Sequence, residues 1–493
     1  MKKAFNNDKY LKMQREEINK RIEQFDNKLY LEFGGKLFDD YHASRVLPGF
    51  LPDSKLKMLL GLKDKIEVII VINSADIQKN KIRSDLGISY ESEVLRLIDA
   101  FREAELYVGS VVLAQYNDQS LANAFKQKLE KLGIKTYLHY PINGYPQNIP
   151  LIVSEDGLGK NEYVETTRPL VVVTAPGPGS GKMATCLSQL YHENKKGIKA
   201  GYAKYETFPI WNLPLLHPVN LAYEAATSDL NDVNVIDPFH LANYNIQAVN
   251  YNRDVEVFPL LKTIFEKIYG TTYYNSPTDM GVNMAGFCIE NDVEACKASR
   301  NEIIRRYLDA EVDLINGKIS EESVSKNALL MNKASITVEN RKCVKAALEK
   351  EKKEEVPCLA MELRNGKIIT GKTSSLLGAP AALLLNALKY LGRIDDQIKI
   401  LSPAVIEPIQ KMKIRSLGHH SPRLHAEEVL IAMAIAAPTN PVAEIALNNL
   451  HKLKGVEVHS SYILPESDRN TLKKLGINVT MEPVINAKKL YRK

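Results

Sequence analysis

The fold is decided by residues 170–205, which read LVVVTAPGPGSGKMATCLSQLYHENKKGIKAGYAKY. Residues 170–174 form a short apolar run, typical of a buried strand, and lead directly into a glycine-rich loop at 175–182. Apolar side chains then recur at helical spacing, and Gly197 is typical of the residue that follows a helix. Residues 200–205 predict the next strand. This order predicts a βαβ unit and therefore a parallel sheet.

The loop has the composition of a phosphate-binding loop. Glycines allow successive main-chain N–H groups to converge on one anion, and the N-terminus of the following helix adds partial positive charge. Lys182 would hold the β- and γ-phosphates of ATP or GTP. A tight turn with a purely structural role is the alternative. The predicted cofactor-binding residues are Gly177, Gly179, Ser180, Gly181, Lys182 and Thr185.

The loop departs from the pattern G-x-x-x-x-G-K-[ST] at two positions. Pro176 stands in place of the first glycine, and Met183 stands in place of the hydroxyl residue that holds Mg²⁺. Thr185 or Ser180 could supply that hydroxyl. Phosphoryl transfer usually also needs a carboxylate at a strand end to hold the metal. Asp237 is the predicted metal ligand and catalytic carboxylate, and a helix cap is its alternative role.

The first 210 residues alternate short apolar runs with amphipathic stretches. This alternation predicts an α/β fold in which helices cover both faces of a parallel sheet. The predicted strands are 28–33, 66–72, 107–114, 134–140, 150–153 and 170–174, and the predicted helices include 92–105 and 121–132.

The pattern changes beyond residue 211. Residues 212–288 are rich in Pro, Asn, Tyr and His and predict loops around a site or an interface, whereas 292–355 predict helices. Within the irregular stretch, His217 and His240 are candidate acid–base groups or hydrogen-bonded structural histidines. The predicted parts of the chain are a phosphate-loop domain (1–230), an irregular and helical segment (231–356) and a second α/β domain (357–493).

The C-terminal part opens with a predicted hairpin around Asn365-Gly366. His425-Ala-Glu427 matches the H-x-E part of zinc deaminases, but no cysteine follows Cys358, so the P-C-x-x-C partner is missing. The sequence therefore indicates a deaminase-like shape without zinc. Further predictions are a helix at 381–391 and strands at 398–401, 456–463 and 477–481.

Other candidate residues follow two of the predicted strands. Asp39, Asp40, His42 and Arg45 lie after the first strand, where loops line the ligand crevice of an open α/β sheet. Helix capping is the alternative for the two aspartates. Glu206 follows the strand at 200–205 and could hold a metal ion, with a surface carboxylate as the alternative.

Composition excludes several classes of protein. The 493 residues carry 65 lysines and arginines against 59 aspartates and glutamates, and a net charge of +6 does not favour a nucleic-acid partner. No apolar run approaches the roughly 18 residues that span a bilayer, so no membrane partner is expected. Five cysteines without a ligand pattern favour reduced thiols in the cytoplasm. A homo-oligomer is compatible with the sequence.

Residues 179–206, GSGKMATCLSQLYHENKKGIKAGYAKYE, resemble the opening βαβ unit of dethiobiotin synthetase and its P-loop relatives. In that family the loop and helix lead to a strand that ends in G-Y-K-P, and the lysine of this strand assists phosphate chemistry. The resemblance implies that Lys204 is the equivalent lysine, displaced by one residue, and that it acts as a catalytic residue with Lys182.

The whole chain is similar to a bacterial family of about 500 residues without an established function. The matching segments are EFGGKLFDDYHASRVLPGF (32–50), VETTRPLVVVTAPGPGSGKMAT (164–185) and YETFPIWNLPLLHPVNLAYEAAT (205–227). This resemblance spans the chain and implies no reaction.

Three functions stay open on the sequence. The first is an enzyme that binds ATP or GTP with Mg²⁺ and transfers phosphate to a small metabolite, or activates that metabolite. The second is a nucleotide or phosphate sensor, or an assembly protein, without turnover, which the missing hydroxyl after Lys182 favours. The third is an enzyme that binds a dinucleotide of the NAD type, with Glu206 on a ribose, although the glycine spacing differs from G-x-G-x-x-G.

Overall fold

The computed structural model describes residues 3–34, 37, 38, 40–83, 87–230 and 232–485. The described residues fall into two compact units that divide between Ser299 and Arg300, a position within the predicted segment 231–356. Among the helices of the described residues, none combines the length and the apolar character that crossing a membrane requires.

The strands of the described residues are β1 (Leu29–Phe33), β2 (Ile66–Asn73), β3 (Ile82–Arg83), β4 (Ile88–Ser89), β5 (Tyr107–Ala114), β6 (Lys135–Leu138), β7 (Leu170–Thr174), β8 (Gly201–Tyr205), β9 (Asn234–Ile236), β10 (Val249–Tyr251), β11 (Gly281–Val282), β12 (Cys358–Glu362), β13 (Ile368–Lys372), β14 (Glu457–Ser460) and β15 (Asn478–Met481).

The α-helices are α1 (Asn7–Gln24), α2 (Tyr41–Val46), α3 (Ser54–Leu60), α4 (Ser74–Gln78), α5 (Tyr90–Glu103), α6 (Ser120–Lys131), α7 (Ile149–Ile152), α8 (Lys182–Lys195), α9 (Pro218–Ala226), α10 (Pro238–Tyr244), α11 (Asn252–Tyr269), α12 (Pro277–Met280), α13 (Asp292–Ile315), α14 (Glu321–Lys333), α15 (Lys342–Glu354), α16 (Ala379–Gly392), α17 (Pro403–Arg415), α18 (Ala426–Ala436), α19 (Pro441–Asn448) and α20 (Glu466–Lys474).

The first unit is built on a seven-stranded sheet in the order β11-β8-β1-β7-β2-β5-β6. Every neighbouring pair in this sheet is parallel, which confirms the predicted α/β fold with a parallel sheet. The central strands β1 and β7 are buried along their whole length, as β-branched and apolar strands between two helical layers should be. The glycine-rich loop therefore starts from the middle of the sheet.

The connection that follows β7 crosses one strand. The chain leaves β7, forms α8 and returns as β8, but β8 pairs with β1, which lies between β7 and β8. On its other side, β7 pairs with β2. Ligands of open α/β sheets bind at the carboxyl ends of the strands where successive connections diverge in this way.

Helix α8 begins and ends where the sequence predicts. Gly181 precedes the helix with a φ of +96°, and Gly197 follows it with a φ of +76°, both in the left-handed region that favours glycine. The apolar face of the helix is buried through Leu187, Leu190 and Tyr191. Burial of this face holds the helix on the sheet and so fixes the direction in which the loop opens.

Three predictions of secondary structure are wrong. The predicted strand at 150–153 is the short helix α7, because Asn148 caps its N-terminus and Pro150 occupies its first turn. The predicted strand at 398–401 is irregular. Residues 212–288 contain several helices, among them the 18-residue α11, which accommodates Pro259 in its interior.

The second unit has a four-stranded mixed sheet in the order β13-β12-β14-β15. β12 and β13 form the predicted antiparallel hairpin, and β14 pairs with β12 antiparallel and with β15 parallel. The core of this unit includes Leu359 of β12, Leu384 of α16 and Met433 of α18. A second α/β unit at the C-terminal end is therefore confirmed.

Candidate functional site

The glycine-rich loop lies at the carboxyl end of β7. The Ser180 hydroxyl donates to the Gly177 carbonyl oxygen over 2.7 Å, which closes the loop on itself. The Asn73 amide, at the end of the neighbouring β2, donates to the Gly179 carbonyl oxygen over 3.3 Å. These two contacts turn carbonyl groups toward the protein.

The N–H groups of the loop have no protein partner. Within the part of the chain that the structure describes, none of the six main-chain N–H groups from residue 179 to 184 forms a hydrogen bond to the protein. The first N–H groups of a helix always lack an intrahelical acceptor, and here the preceding loop adds more of them. Such a set of amides at a helix N-terminus is suited to an anion.

Two glycines are required by close neighbours. A Cβ atom at Gly177 would lie 2.3 Å from the Tyr90 hydroxyl oxygen, and a Cβ atom at Gly181 would lie 2.9 Å from the Ala114 Cβ. Tyr90 is the first residue of α5, and Ala114 ends β5. The loop is thus held against its surroundings at both ends.

Replacement of Gly181 by alanine is expected to lower the free energy of unfolding by about 2–3 kcal/mol, since a side chain there suffers both left-handed strain and the contact with Ala114. Gly197 is the matched control, because its φ is also positive but its added Cβ meets no atom within 4 Å. Gly197→Ala should cost about 1 kcal/mol. Urea denaturation of both variants measures the difference, and equal losses would contradict the close approach at Gly181.

Lys182 reaches a buried carboxylate on the adjacent strand. Its Nζ lies 3.9 Å from Oε1 of Glu32 on β1, and both side chains are less than 15% exposed. The Tyr202 hydroxyl, on β8, donates to Oε2 of Glu32 over 2.7 Å. Glu32 is therefore positioned from one side and faces Lys182 on the other.

Lys204 stands opposite Glu32 in the register of β1 and β8. Its Nζ lies 3.0 Å from Oε1 of Glu206 and forms an ion pair with Asp254 of α11. Burial alone lowers the pKa of Lys204, but Asp254, Glu206 and Glu32 together raise it above its ordinary value. Lys204 is therefore charged, and three carboxylates surround it.

Burial raises the pKa of Glu206 to about 7, although Lys204 opposes this shift; Asp254 and Glu32 add to it by repulsion. The folded chain thus binds a proton at Glu206 that an unfolded chain releases at a pH of about 4.5.

Stability should therefore fall as the pH rises from about 4.5 to about 7, and Glu206→Gln should remove this part of the pH dependence. Urea denaturation at several pH values measures it. A slope identical in wild type and variant would show that Glu206 titrates normally.

The two predicted Mg²⁺ ligands have protein partners. Thr185 is buried in α8, and its hydroxyl oxygen lies 3.5 Å from Nδ1 of His139. Asp237 caps α10 through the N–H groups of Phe239 and His240, and its second oxygen accepts from Thr278. Burial lowers the pKa of His139 to about 4, so this histidine is neutral beside Thr185. Their role as metal ligands stays a prediction.

The loop after β1 is partly described. Asp39 lies outside the described residues. Asp40 caps α2 and forms an ion pair of 2.8 Å with Lys55, which, with the N–H group of Ala43, lowers the pKa of Asp40 against the raising effect of burial. The His42 ring packs against the Phe208 ring, with 5.6 Å between the ring centroids. These contacts give Asp40 and His42 structural partners, and Arg45 lies in the same short helix.

The remaining candidate histidines lie elsewhere. His240 is buried in α10 with Nδ1 3.0 Å from the Ser276 hydroxyl oxygen, and His217 precedes α9. In the second unit, His425 caps α18 and its Nδ1 lies 2.8 Å from Asp468. Neither the loop nor Lys204 is a partner in these contacts.

Sequence reasoning missed two members of the site, Glu32 and Asp254. Glu32 carries a recognisable signal, because it is the one charged residue in the apolar run Leu29–Phe33, and a buried charge on a strand needs a partner. Asp254 carries none, since it lies in a stretch that predicts loops. Cys186 is also close, but burial and Glu32 raise the pKa of its thiol and make it a poor nucleophile.

Comparison with known proteins covers nearly the whole chain. The family model described as "Domain of unknown function DUF1846, N-terminal" matches residues 3–335, and "Domain of unknown function DUF1846, C-terminal" matches residues 339–491. A UPF0371 protein of Streptococcus pyogenes serotype M5 (strain Manfredo) is 56% identical over 490 residues, 99% of each chain. A UPF0371 protein of Streptococcus thermophilus (strain CNRZ 1066) is 56% identical over 492 residues, 100% of each chain. The chain therefore belongs to the DUF1846 (UPF0371) family, which confirms the resemblance to a bacterial family over the full length.

Proposed function

We propose that this protein binds a nucleoside triphosphate, ATP or GTP, in the loop at 175–182 and transfers phosphate to a small metabolite. One observation carries the proposal: among the described residues, the six main-chain N–H groups from residue 179 to 184 have no protein partner, and they adjoin Lys182 at the start of α8. Unpaired amides are costly unless water or a ligand satisfies them, and phosphate oxygens are suitable acceptors.

Each of the two lysines stabilises part of the negative charge on the phosphates. Lys182 is adjacent to the amides and holds the β- and γ-phosphates. Lys204 lies on β8, which is two strands from β7, and Glu32 on the intervening strand β1 adjoins both lysines. A γ-phosphoryl group within reach of both ammonium groups would be stabilised as charge develops during transfer, and Mg²⁺ held at Glu32 would offset the repulsion from that carboxylate.

The acidic residues suggest a proton acceptor. Glu206 has a pKa near neutrality and lies at the carboxyl end of β8, so it can take the proton of an attacking hydroxyl group. Glu32 and Asp254 lie beside the lysines and supply oxygen atoms suited to Mg²⁺. Mg²⁺ held there would add positive charge at the phosphates, while Glu206, Lys182 and Lys204 provide the remaining chemistry.

A nucleotide sensor without turnover is the second candidate function. It is favoured because both hydroxyl groups that could hold Mg²⁺ near the loop already have protein partners. The Ser180 hydroxyl donates to the Gly177 carbonyl oxygen, and the Thr185 hydroxyl lies beside His139. The Met183 side chain has no oxygen atom, whereas a P-loop helix offers Mg²⁺ a Ser or Thr hydroxyl group at this position. The start of α8 is therefore less suited to binding Mg²⁺.

Calorimetry with ATP, GTP and NAD, each with and without Mg²⁺, tests the proposal on the full chain. Binding of ATP or GTP is the expected result, and Mg²⁺ should strengthen it. Release of phosphate in the presence of hydroxylated or carboxylated metabolites then separates the enzyme from the sensor. Tight binding without release for any metabolite would favour the sensor, and failure of both triphosphates to bind would refute the proposal.

A further inference from the structure

Three side chains with metal-binding atoms meet at the starts of two helices in the first unit. His217 is the residue before α9, Asp292 is the first residue of α13, and Cys296 follows one turn later. The spacing of four residues places Asp292 and Cys296 on the same face of α13. Among the described residues, this is the one group of three potential ligands whose atoms all lie within 4.8 Å of one another.

The separations fit a tetrahedral metal ion. Sγ of Cys296 lies 3.5 Å from Nε2 of His217 and 3.7 Å from Oδ2 of Asp292. Bonds of about 2.0–2.3 Å to a tetrahedral zinc ion place adjacent ligand atoms about 3.3–3.6 Å apart. The nitrogen–carboxylate contact, 2.9 Å from Nε2 to Oδ1 of Asp292, would lengthen slightly. The cluster therefore needs little rearrangement to hold an ion.

The donor set selects the class of metal. A thiolate and an imidazole favour Zn²⁺ and neighbouring transition metals, whereas Mg²⁺ and Ca²⁺ prefer oxygen ligands alone. The Asp292 side chain is 62% exposed, which leaves a fourth position open to water. Cys296 is also the one cysteine of the five that is not buried, and all five lie in the described part of the chain. The ion could thus enter from solvent.

A hydrolytic triad explains the cluster less well. In a triad the acid and the nucleophile contact different nitrogens of the histidine ring. Here both Asp292 and Cys296 approach Nε2 of His217, and Nδ1 accepts a long contact of 3.3 Å from the N–H group of Val219. Two ligands converging on one ring nitrogen is the arrangement that a shared metal ion requires.

We propose that His217, Asp292 and Cys296 form a binding site for a divalent transition-metal ion of the zinc type, with water as the fourth ligand. When the ion binds Nε2, the single proton of the neutral His217 ring moves through solvent to Nδ1 at the expense of the Val219 contact, and the Cys296 thiol releases its proton to solvent. Bound metal joins the starts of α9 and α13 and should raise the thermal stability of the chain. The site is separate from the loop at 175–182 and does not depend on nucleotide binding.

Titration of the metal-free full chain with Zn²⁺ tests the proposal. We expect one Zn²⁺ per chain, and Co²⁺ in its place should show the near-ultraviolet charge-transfer band of a cobalt thiolate. Cys296→Ser should abolish that band and weaken Zn²⁺ binding at least 10-fold. His217→Asn should weaken binding similarly while it keeps a capping side chain for α9. Cys358→Ala, which removes a thiol outside the cluster, should change neither result.

A second measurement needs no variant. Native thiol titration should detect Cys296 ahead of the buried cysteines, and Zn²⁺ should slow that reaction at least 10-fold. An unchanged rate, or Zn²⁺ binding that Cys296→Ser leaves intact, would overturn the proposal. Lys182→Ala should bind Zn²⁺ as the wild type does, so failure of the nucleotide proposal and failure of the metal proposal are distinguishable.

Discussion

Replacement of Lys182 by alanine is expected to weaken ATP or GTP binding by about 10- to 100-fold, the value of a hydrogen bond to a charged group in a partly closed site. The side chain is 14% exposed, and its nearest charged group is Glu32 at 3.9 Å, a distance too long for a hydrogen bond. A phosphate oxygen is therefore a stronger partner for the ammonium group than Glu32 is. Isothermal titration calorimetry measures the loss, and any phosphate release should fall with it.

The matched control for this variant is Lys196→Ala. Lys196 is exposed and follows the C-terminal end of α8, about 20 Å along the helix from Lys182. The variant Lys196→Ala also removes one positive charge, but at the opposite end of α8 from the loop. Nucleotide affinity should therefore stay within about twofold of wild type. Equal affinity of wild type and Lys182→Ala would contradict the nucleotide proposal. Equal losses in both variants would indicate long-range attraction and no phosphate site.

Replacement of Lys204 by methionine is expected to lower the free energy of unfolding by about 3 kcal/mol at pH 8. The variant keeps the length of the side chain but leaves Asp254 and Glu206 without their cation. Uncompensated carboxylates in a site this closed are costly, and the 23% exposure of Lys204 keeps the expected loss at the low end of the range for buried pairs. Urea denaturation measures the change.

A double variant separates charge from packing. The double variant Lys204→Met/Asp254→Asn removes one of the unpaired carboxylates, so it should be more stable than the single variant Lys204→Met. Additive losses in the double variant would show that the ion pair is not what stabilises the site. A loss below about 1 kcal/mol in Lys204→Met would place the pair among exposed salt bridges.

Local periodicity was sufficient for the central part of the fold. The apolar run at 170–174, the helical spacing after it and the glycines at its ends predict β7, α8 and β8 because each signal acts over a few residues. The prediction was wrong at 150–153, where a four-residue apolar run with β-branched residues is equally compatible with a strand and with a capped turn of helix. The secondary structure of an apolar run too short to show a helical period is decided by the residues that flank it.

Only some of the charged residues of the site could be identified from the sequence. Lys182 and Lys204 belong to the loop and to the strand that follows it, so local sequence patterns identify them. Glu32 and Asp254 lie far from both in sequence, and only the strand order β8-β1-β7 brings Glu32 between the lysines. The histidine–aspartate–cysteine cluster depends in the same way on the fold, since His217 and Asp292 are 75 residues apart in the sequence.

The amino-acid sequence by itself determined the parallel α/β class, the glycine-rich loop and the helix that follows it, since periodicity and glycine placement act through neighbouring residues. The tertiary structure decided which charges meet. Pairing of β1 with both β7 and β8 brings Glu32 beside Lys204, where Lys182 of α8 and Asp254 of α11 join them, and burial there moves the pKa of Glu206 toward neutrality. Long-range electrostatics depends on distances and burial that exist only after the sheet has formed.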